Sequence, residues 1–335
     1  MPPALRRRAP TARLAALART ALLALAAAWQ AAAATPLTLA TSATPTAAPV
    51  LVAEAQGYFR AEGLEVKVRR CPVGRVCLKW LLDGEVQFAA AADLGLTVAA
   101  FSDRPFGIVA SIAEAGRSVR IVARADRAVR QAADLRGRRV GVLVGTNAHY
   151  FTDTLLQLGG LAPAEVRLLP LDATDPLGPL LRGEVDAAGL FEPHAQAAID
   201  ALGGNAVVLP TPAYLGSTFS VVAAPPPGGA TDEQVTRLLR ALQHAVAFIA
   251  AEPQRARAIV APQVGLDVRQ LEPAWTRLRF GVELEQSLLT TFETQARWAR
   301  RNGLVPAAAP LPNYLDHVRE APLHQLDPAA VRLVR

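Results

Sequence analysis

Short apolar runs rich in β-branched and small residues alternate along this chain with longer segments of helical periodicity. The first series of strand-like runs covers residues 37–40, 64–68, 86–90 and 106–112. A second, similar series covers residues 139–144, 166–169, 187–190 and 206–209. The alternation of strand and helix patterns predicts an α/β fold built around parallel strands.

The order of these runs also predicts how the chain is divided. Two further β-rich runs, 119–123 and 218–223, are interpreted as hinge strands that join two α/β lobes. The first lobe is then 36–118 plus 224–335, and the second lobe is an insertion at 124–217. The pattern after residue 231 is helical. We expect a ligand to bind in the cleft between the lobes, since domain interfaces commonly form such sites.

The first residues have the composition of a secretory signal. Residues 1–19 contain five arginines and no acid, and a short apolar run and small residues follow as far as Ala34. This pattern predicts a signal peptide at 1–34, cleaved near Ala34. The alternative is an uncleaved anchor, but the apolar run is shorter than the roughly 20 residues that cross a bilayer.

The leader accounts for most of the chain's net positive charge. The formal net charge is +6, and five of these charges are the leader arginines. No basic block with interleaved aromatic residues occurs in the remaining sequence. Nucleic acid is therefore not expected as a partner.

The chain contains two cysteines, Cys71 and Cys77. In an oxidising compartment such a close pair forms a short-loop disulfide; two free thiols are the alternative, and the sequence leaves both open. A zinc site needs further ligands, and the five histidines do not form a cluster with the cysteines. We expect no metal and no cofactor.

Four blocks of this sequence resemble one family of exported proteins. They are AQGYFRAEGLEVKV at 55–68, CLKWLLDGEVQFAAAAD at 77–93, ADLRGRRVGVLVGT at 133–146 and LRGEVDAAGLFEPH at 181–194. In this order they are similar to the nitrate/sulfonate/taurine and thiamine-precursor group of periplasmic solute-binding proteins, the NMT1/THI5-like group. Gln87 stands where the family usually has Asp.

The resemblance implies a fold, a location and a partner. It implies the periplasmic-binding-protein fold of type II, with two α/β lobes and a two-strand hinge. It further implies a periplasmic monomer that delivers a small organic solute to an ABC permease in the inner membrane. A receptor that presents its ligand to a membrane sensor would have the same sequence features, so this alternative stays open.

An enzyme is the less favoured alternative. The same fold group includes a pyrimidine synthase of thiamine biosynthesis, whose family carries a cysteine-rich metal-binding cluster. This chain has only two cysteines, and no Ser-His-Asp or Cys-His motif stands out. We therefore expect a binding protein and not an enzyme.

In an open α/β sheet, ligands bind beyond the carboxyl ends of the strands, and two loops of the first lobe meet this condition. The first carries Ser42, Thr44 and Thr46, whose hydroxyls either contact a polar ligand or cap the next helix. The second ends at Asp93, which is a ligand candidate, although a capping role for this residue is favoured.

Two loops of the second lobe complete the predicted site. Gly145, Thr146 and Asn147 precede a helix, where backbone amides and a hydroxyl form a site for a carboxylate or sulfonate; a simply capped helix is the alternative. Phe191 and Glu192 follow a strand, and Glu192 either binds an amine or ring nitrogen of the ligand or interacts with the helix dipole. These groups suggest a ligand with an acidic and a basic or donor group, such as an aminosulfonate; a pyrimidine or an aromatic acid fits the same groups. Tyr214 is a further candidate aromatic residue of the cleft.

Overall fold

The structure is a computed structural model that describes residues 36–116, 119–212 and 216–334. The predicted signal peptide and Tyr214 lie outside the described residues. Among the residues that are described, no helix combines the length and the apolar character needed to cross a bilayer.

The larger of two sheets has seven strands in the order β12-β11-β4-β10-β3-β1-β2. Strands β1 and β2 are parallel, as are β1 and β3, whereas β10 runs antiparallel to β3 and β4. Strand β11 is antiparallel to β4. The strands are β1 Leu37–Ser42, β2 Val66–Cys71, β3 Phe88–Ala92, β4 Gly107–Gly116, β10 Gly216–Ala223, β11 Leu278–Glu285 and β12 Val331–Arg332.

The smaller sheet has five strands in the order β7-β6-β8-β5-β9. Strand β6 is parallel to β7 and β8, and β5 is antiparallel to β8 and β9. The strands are β5 Val119–Arg124, β6 Arg139–Val142, β7 Arg167–Pro170, β8 Ala187–Phe191 and β9 Ala206–Val208.

Helices cover the sheets, and several begin and end at the residues that favour such boundaries. Gly57, with φ of 72°, ends α1. Thr231 and Gln234 form a capping box at the start of α8. The helices are α1 Ala48–Gln56, α2 Tyr58–Ala61, α3 Gly74–Leu82, α4 Asp93–Ala99, α5 Asn147–Leu158, α6 Gly178–Leu181, α7 His194–Leu202, α8 Asp232–Ala251, α9 Pro253–Gln263, α10 Val268–Trp275, α11 Gln286–Arg301 and α12 Ala321–Leu326.

Each sheet is covered by its own apolar core. The largest cluster packs around the seven-stranded sheet and includes the fully buried Phe88, Leu39 and Phe292. Two smaller clusters, which contain Ile121 and Val122 respectively, cover the five-stranded sheet. Because strands buried on both faces read as continuous apolar runs, β3 has the sequence FAAAA.

The predicted α/β architecture is confirmed, and one detail differs from the expectation. The runs 119–123 and 218–223 lie in β5 of the smaller sheet and in β10 of the larger sheet, and their role as hinge strands stays a prediction. The chain leaves the larger sheet after Gly116 and returns at Gly216. The region after residue 231 is not purely helical, since β11 lies in the larger sheet between β12 and β4. The lobe boundaries themselves stay a prediction.

Candidate functional site

The carboxyl ends of strands from both sheets surround a cavity of about 130 Å³. The loops after β1 and β2 and the carboxyl ends of β3 and β4 contribute on the side of the larger sheet, and the loops after β6 and β8 contribute on the side of the smaller one. This is the arrangement expected for ligand sites in open α/β sheets. The sequence-predicted residues that line this cavity are Ser42, Thr44, Thr46, Gly145, Thr146, Asn147, Phe191 and Glu192.

The loop after β1 presents a chain of hydroxyl groups. The Thr44 hydroxyl lies 3.2 Å from the Ser42 hydroxyl and 2.8 Å from the Thr46 hydroxyl. None of the three forms a side-chain cap of a helix; Thr44 precedes a 3-10 turn and makes no cap hydrogen bond. The three hydroxyls therefore offer donors to a polar group in the cavity.

The Thr146 hydroxyl has a structural role. It accepts a hydrogen bond from the Ala148 amide at 3.2 Å and donates one to the Leu143 carbonyl at 2.7 Å. Thr146 thus caps α5, as the alternative interpretation of this loop required. The preceding Gly145 has φ of 74°, a backbone conformation that glycine adopts without strain. The loop contributes its backbone and the start of a 12-residue helix to the cavity wall.

Asp93 is not among the residues that line this cavity, and its place among the ligand candidates stays a prediction. Its carboxylate is fully buried and accepts hydrogen bonds from the amides of Leu94 at 2.8 Å and Thr218 at 3.1 Å. The side-chain amide of Asn147 donates a third, 2.5 Å long. Burial raises the pKa of Asp93, and the hydrogen bonds from Asn147 and Thr218 act in the opposite direction. Because Asn147 belongs to the lobe of the smaller sheet, Asp93 ties the two lobes together.

Glu192 is paired with arginines and does not present an isolated charge. One carboxylate oxygen lies 2.5 Å from Nη2 of Arg120 and 3.6 Å from Nη2 of Arg277. The other oxygen accepts a hydrogen bond from the Gln196 amide at 3.2 Å. Arg120 belongs to β5 of the smaller sheet, whereas Arg277 precedes β11 of the larger sheet. The carboxylate thus pairs with arginines from both lobes.

A third arginine, Arg75, comes from a disulfide loop. Cys71 at the end of β2 is bonded to Cys77 in α3, with a Cα–Cα distance of 5.6 Å. Pro72, Val73, Gly74 and Arg75, which lie between the two cysteines, all line the cavity. A side chain at Gly74 would approach the Ala91 Cα to 3.3 Å, so glycine permits α3 to begin close against β3.

Removing the disulfide is expected to lower both stability and affinity. The bond closes a loop with a sequence separation of six, for which the chain-entropy relation gives about 2 kcal/mol of stabilisation. The double substitution Cys71→Ser and Cys77→Ser should lower the free energy of unfolding in urea by that amount. It should also weaken the binding of a ligand in the cavity by roughly tenfold, because the freed loop must be ordered when the ligand binds. Equal urea midpoints and equal affinities would contradict this expectation.

The sequence reasoning missed Arg75, Arg120 and Arg277. Residues 278–285 alternate apolar and polar side chains in the sequence LRFGVELE, a period of two that indicates a strand. Recognising β11 would have placed Arg277 at the sheet edge, since Leu278 pairs with Ala115 at the end of β4. The pairing of Arg120 with Glu192 spans 72 positions and has no local signal.

Other potential chemistry in the cavity is limited. His194 lines the wall, and burial lowers its pKa, so the imidazole is neutral at pH 7. Within the described part of the chain, no three His, Cys, Asp or Glu side chains group as metal ligands would.

Two lobes that enclose a cavity at the carboxyl ends of their strands define the periplasmic-binding-protein fold. The alkanesulfonate-binding protein SsuA of Xanthomonas axonopodis pv. citri, solved with MOPS, shares this fold with a TM-score of 0.73. At 19% identity the likeness covers 87% of this chain and 100% of that one. The chain belongs to the NMT1/THI5-like family, whose model matches residues 44–256.

Two relatives that match this chain by sequence are described as different kinds of protein. The taurine-binding periplasmic protein of Escherichia coli strain K12 is 27% identical over 153 residues, which is 45% of this chain and 47% of that protein. The chain thus matches about half the length of this relative. A Haemophilus influenzae protein assigned provisionally to thiamine biosynthesis is 26% identical over 284 residues, 81% of this chain and 87% of its own.

Proposed function

We propose that this protein is the solute-binding component of an ABC importer and that it captures a small organic anion of the sulfonate class between its lobes. The observation that supports the proposal is the charge of the cavity. Arg75 and Arg277 line the cavity, and Glu192 is the one acidic residue among its described lining residues; the Glu192 carboxylate also pairs with Arg120, which does not itself line the cavity. The excess of positive charge favours an anionic ligand.

The neutral groups of the cavity suit the same ligand. The hydroxyls of Ser42, Thr44 and Thr46 supply donors without charge. The helices α3 and α5 both begin at the cavity wall, and helix N-termini favour negative charge. A sulfonate carries one negative charge, and each of its three oxygens accepts more than one hydrogen bond. It therefore suits both the hydroxyl donors and the two helix N-termini.

The proposed location and partner follow from the family. We propose that the chain acts in the periplasm as a monomer and that an inner-membrane ABC permease recognises its closed form. Ligand that contacts both lobes shifts the hinge equilibrium toward closure. Arg277 and Glu192, which face each other from opposite lobes, lie where such a ligand would bind.

A ligand panel tests the proposed function. The full chain is exported in an expression host, recovered from the periplasm and titrated with methanesulfonate, ethanesulfonate, taurine, nitrate, propionate and an aminopyrimidine. The sulfonates are expected to raise the melting temperature by mass action. Taurine should bind no more tightly than ethanesulfonate, which lacks its amine, because Glu192 is already paired with arginines. Stabilisation by the aminopyrimidine alone would contradict the proposal.

A further inference from the structure

Helix α5 of the smaller lobe packs against α11 of the larger lobe through side chains that do not line the cavity. The indole nitrogen of Trp298 in α11 donates a hydrogen bond of 2.6 Å to Oδ2 of Asp153 in α5. Trp298 is 2% exposed, and Asp153 is fully buried. The rings of His149 and Tyr150, also in α5, meet the Trp298 ring edge-on at centroid distances of 4.9 and 5.2 Å. We call these four residues the α5–α11 seam.

The carboxylate of Asp153 depends on a donor from the other lobe. The side-chain amide of Gln157, one turn further along α5, donates to the same oxygen at 2.8 Å. The second oxygen, Oδ1, is buried and has no hydrogen-bond partner in the part of the chain that the structure describes. Because a buried carboxylate is costly without donors, the indole N–H of Trp298 supplies half of its compensation. Separating α5 from α11 would remove that donor.

An apolar cluster extends the seam into the larger lobe. Leu94, Ala299 and Val305 are buried in one cluster with Trp298, and Tyr150 of α5 packs against this cluster. Separation of the lobes on this side would return the indole ring to water and break a hydrogen bond to a carboxylate, and both changes are unfavourable. The contacts of the seam therefore oppose opening between α5 and α11.

The lobes also meet between α7 and α10, and this contact is weaker than the seam. The side-chain amide of Gln270 in α10 donates to Asp200 in α7 at 3.4 Å, and both residues are exposed. Water replaces such a hydrogen bond at little cost. The ion pair of Arg277 and Glu192, 3.6 Å long, lies near Gly116, whose amide donates to the Arg277 carbonyl where the chain crosses between the lobes. Separation is therefore easiest between α7 and α10.

We propose that the α5–α11 seam is the pivot of the lobe movement: it stays closed in the ligand-free protein while the lobes separate between α7 and α10. Trp298 is then a positioning residue that acts on the site through α5. Gly145, Thr146 and Asn147, at the start of α5 or just before it, line the cavity. Holding α5 against α11 fixes their distance from the loops of the larger lobe. The pivot concerns the ligand-free protein and any solute, so it goes beyond the proposed function.

Distances between nitroxide labels in the ligand-free protein, measured by pulsed electron paramagnetic resonance, test the pivot. One labelled pair, Ala201→Cys with Arg269→Cys, spans α7 and α10; the other, Leu158→Cys with Thr294→Cys, spans α5 and α11, and all four residues are exposed. The native cysteines are bonded to each other and do not react with the label. The α5–α11 pair should show one narrow distance, and the α7–α10 pair a distribution at least twice as broad. Equal widths for the two pairs, or a broader one across the seam, overturn the proposal whether or not a sulfonate binds.

Trp298→Phe tests the positioning role, because it keeps an aromatic ring and removes the N–H donor. The distance distribution across the seam should broaden about twofold, and ethanesulfonate should bind about fivefold more weakly, because the binding-competent arrangement is less populated. Asp153→Asn retains an acceptor oxygen for the indole and should keep the narrow distribution. Trp275→Phe is the matched control, because Trp275 is buried in α10 and belongs neither to the seam nor to the cavity wall. An unchanged distribution in Trp298→Phe, or equal broadening in Trp275→Phe, overturns this role; melting temperatures verify that the variants fold.

Discussion

Replacing Arg277 by methionine is expected to weaken the binding of a sulfonate about 100-fold, because a charge-assisted hydrogen bond in a partly buried site contributes about 2 to 3 kcal/mol. Methionine preserves much of the side-chain volume and removes the guanidinium. The substitution also removes one of the two arginine partners of Glu192. Isothermal titration with butanesulfonate measures the effect, and Arg277→Lys should recover part of it.

The matched control for this substitution is Arg279→Met. Arg279 lies two residues further along, and its guanidinium pairs with Glu114 and Glu283 and does not line the cavity. Its replacement should change the sulfonate affinity less than twofold. A change of less than threefold in Arg277→Met, or an equal change in both variants, would show that the cavity charge does not select the ligand.

The positions of the candidate loops could be predicted from sequence because they depend on topology. Once strands and helices alternate, the carboxyl ends of parallel strands meet at one edge of each sheet. Ser42 and Phe191 end such strands and Gly145 follows one, and the structure brings all three to one cavity. This part of the prediction needed only the period of the apolar pattern and the glycines that end the helices.

The electrostatics of the site could not be predicted in the same way. The carboxylate of Glu192 follows a strand, as expected, but its charge is balanced by Arg120 from a neighbouring strand and by Arg277 from the other lobe. Which side chains meet across a cleft depends on how two lobes pack, and no local pattern contains that information. The interpretation of Glu192 as an acid that binds an amine of the ligand therefore stays a prediction.

The position of Arg277 next to the antiparallel strand β11 could not be predicted from the carboxyl-end rule either. The rule that ligands bind at carboxyl ends does not select Arg277, which lies at the amino end of β11. Since β11 runs antiparallel to β4, its first residues reach the same sheet edge as the last residues of β4, and the amide of Gly116 donates to the Arg277 carbonyl at 3.1 Å. In a mixed sheet, both ends of the strands therefore have to be considered.

Replacing Asp93 by alanine is expected to lower the free energy of unfolding by about 3 kcal/mol, because buried donors are left without acceptors. The substitution removes the oxygens that accept from the Leu94 amide, the Thr218 amide and the Asn147 side chain; the Leu94 amide keeps a longer hydrogen bond, 3.4 Å, to Oδ1 of Asn147. Urea unfolding followed by circular dichroism measures the loss. Since Asn147 lies on the other lobe, ligand affinity should fall as well, although Asp93 does not line the cavity.

Two further variants test whether the loss of stability comes from the buried carboxylate of Asp93. Asp93→Asn conserves the shape, but its amide nitrogen is a donor that faces other donors, so it should recover only part of the stability. Asp83→Ala removes an exposed carboxylate that pairs with Lys79 and Arg104, and surface ion pairs contribute little to stability. Asp93→Ala should therefore be far less stable than Asp83→Ala. Similar urea midpoints for these two variants would contradict the role of Asp93 as the buried acceptor that joins the lobes.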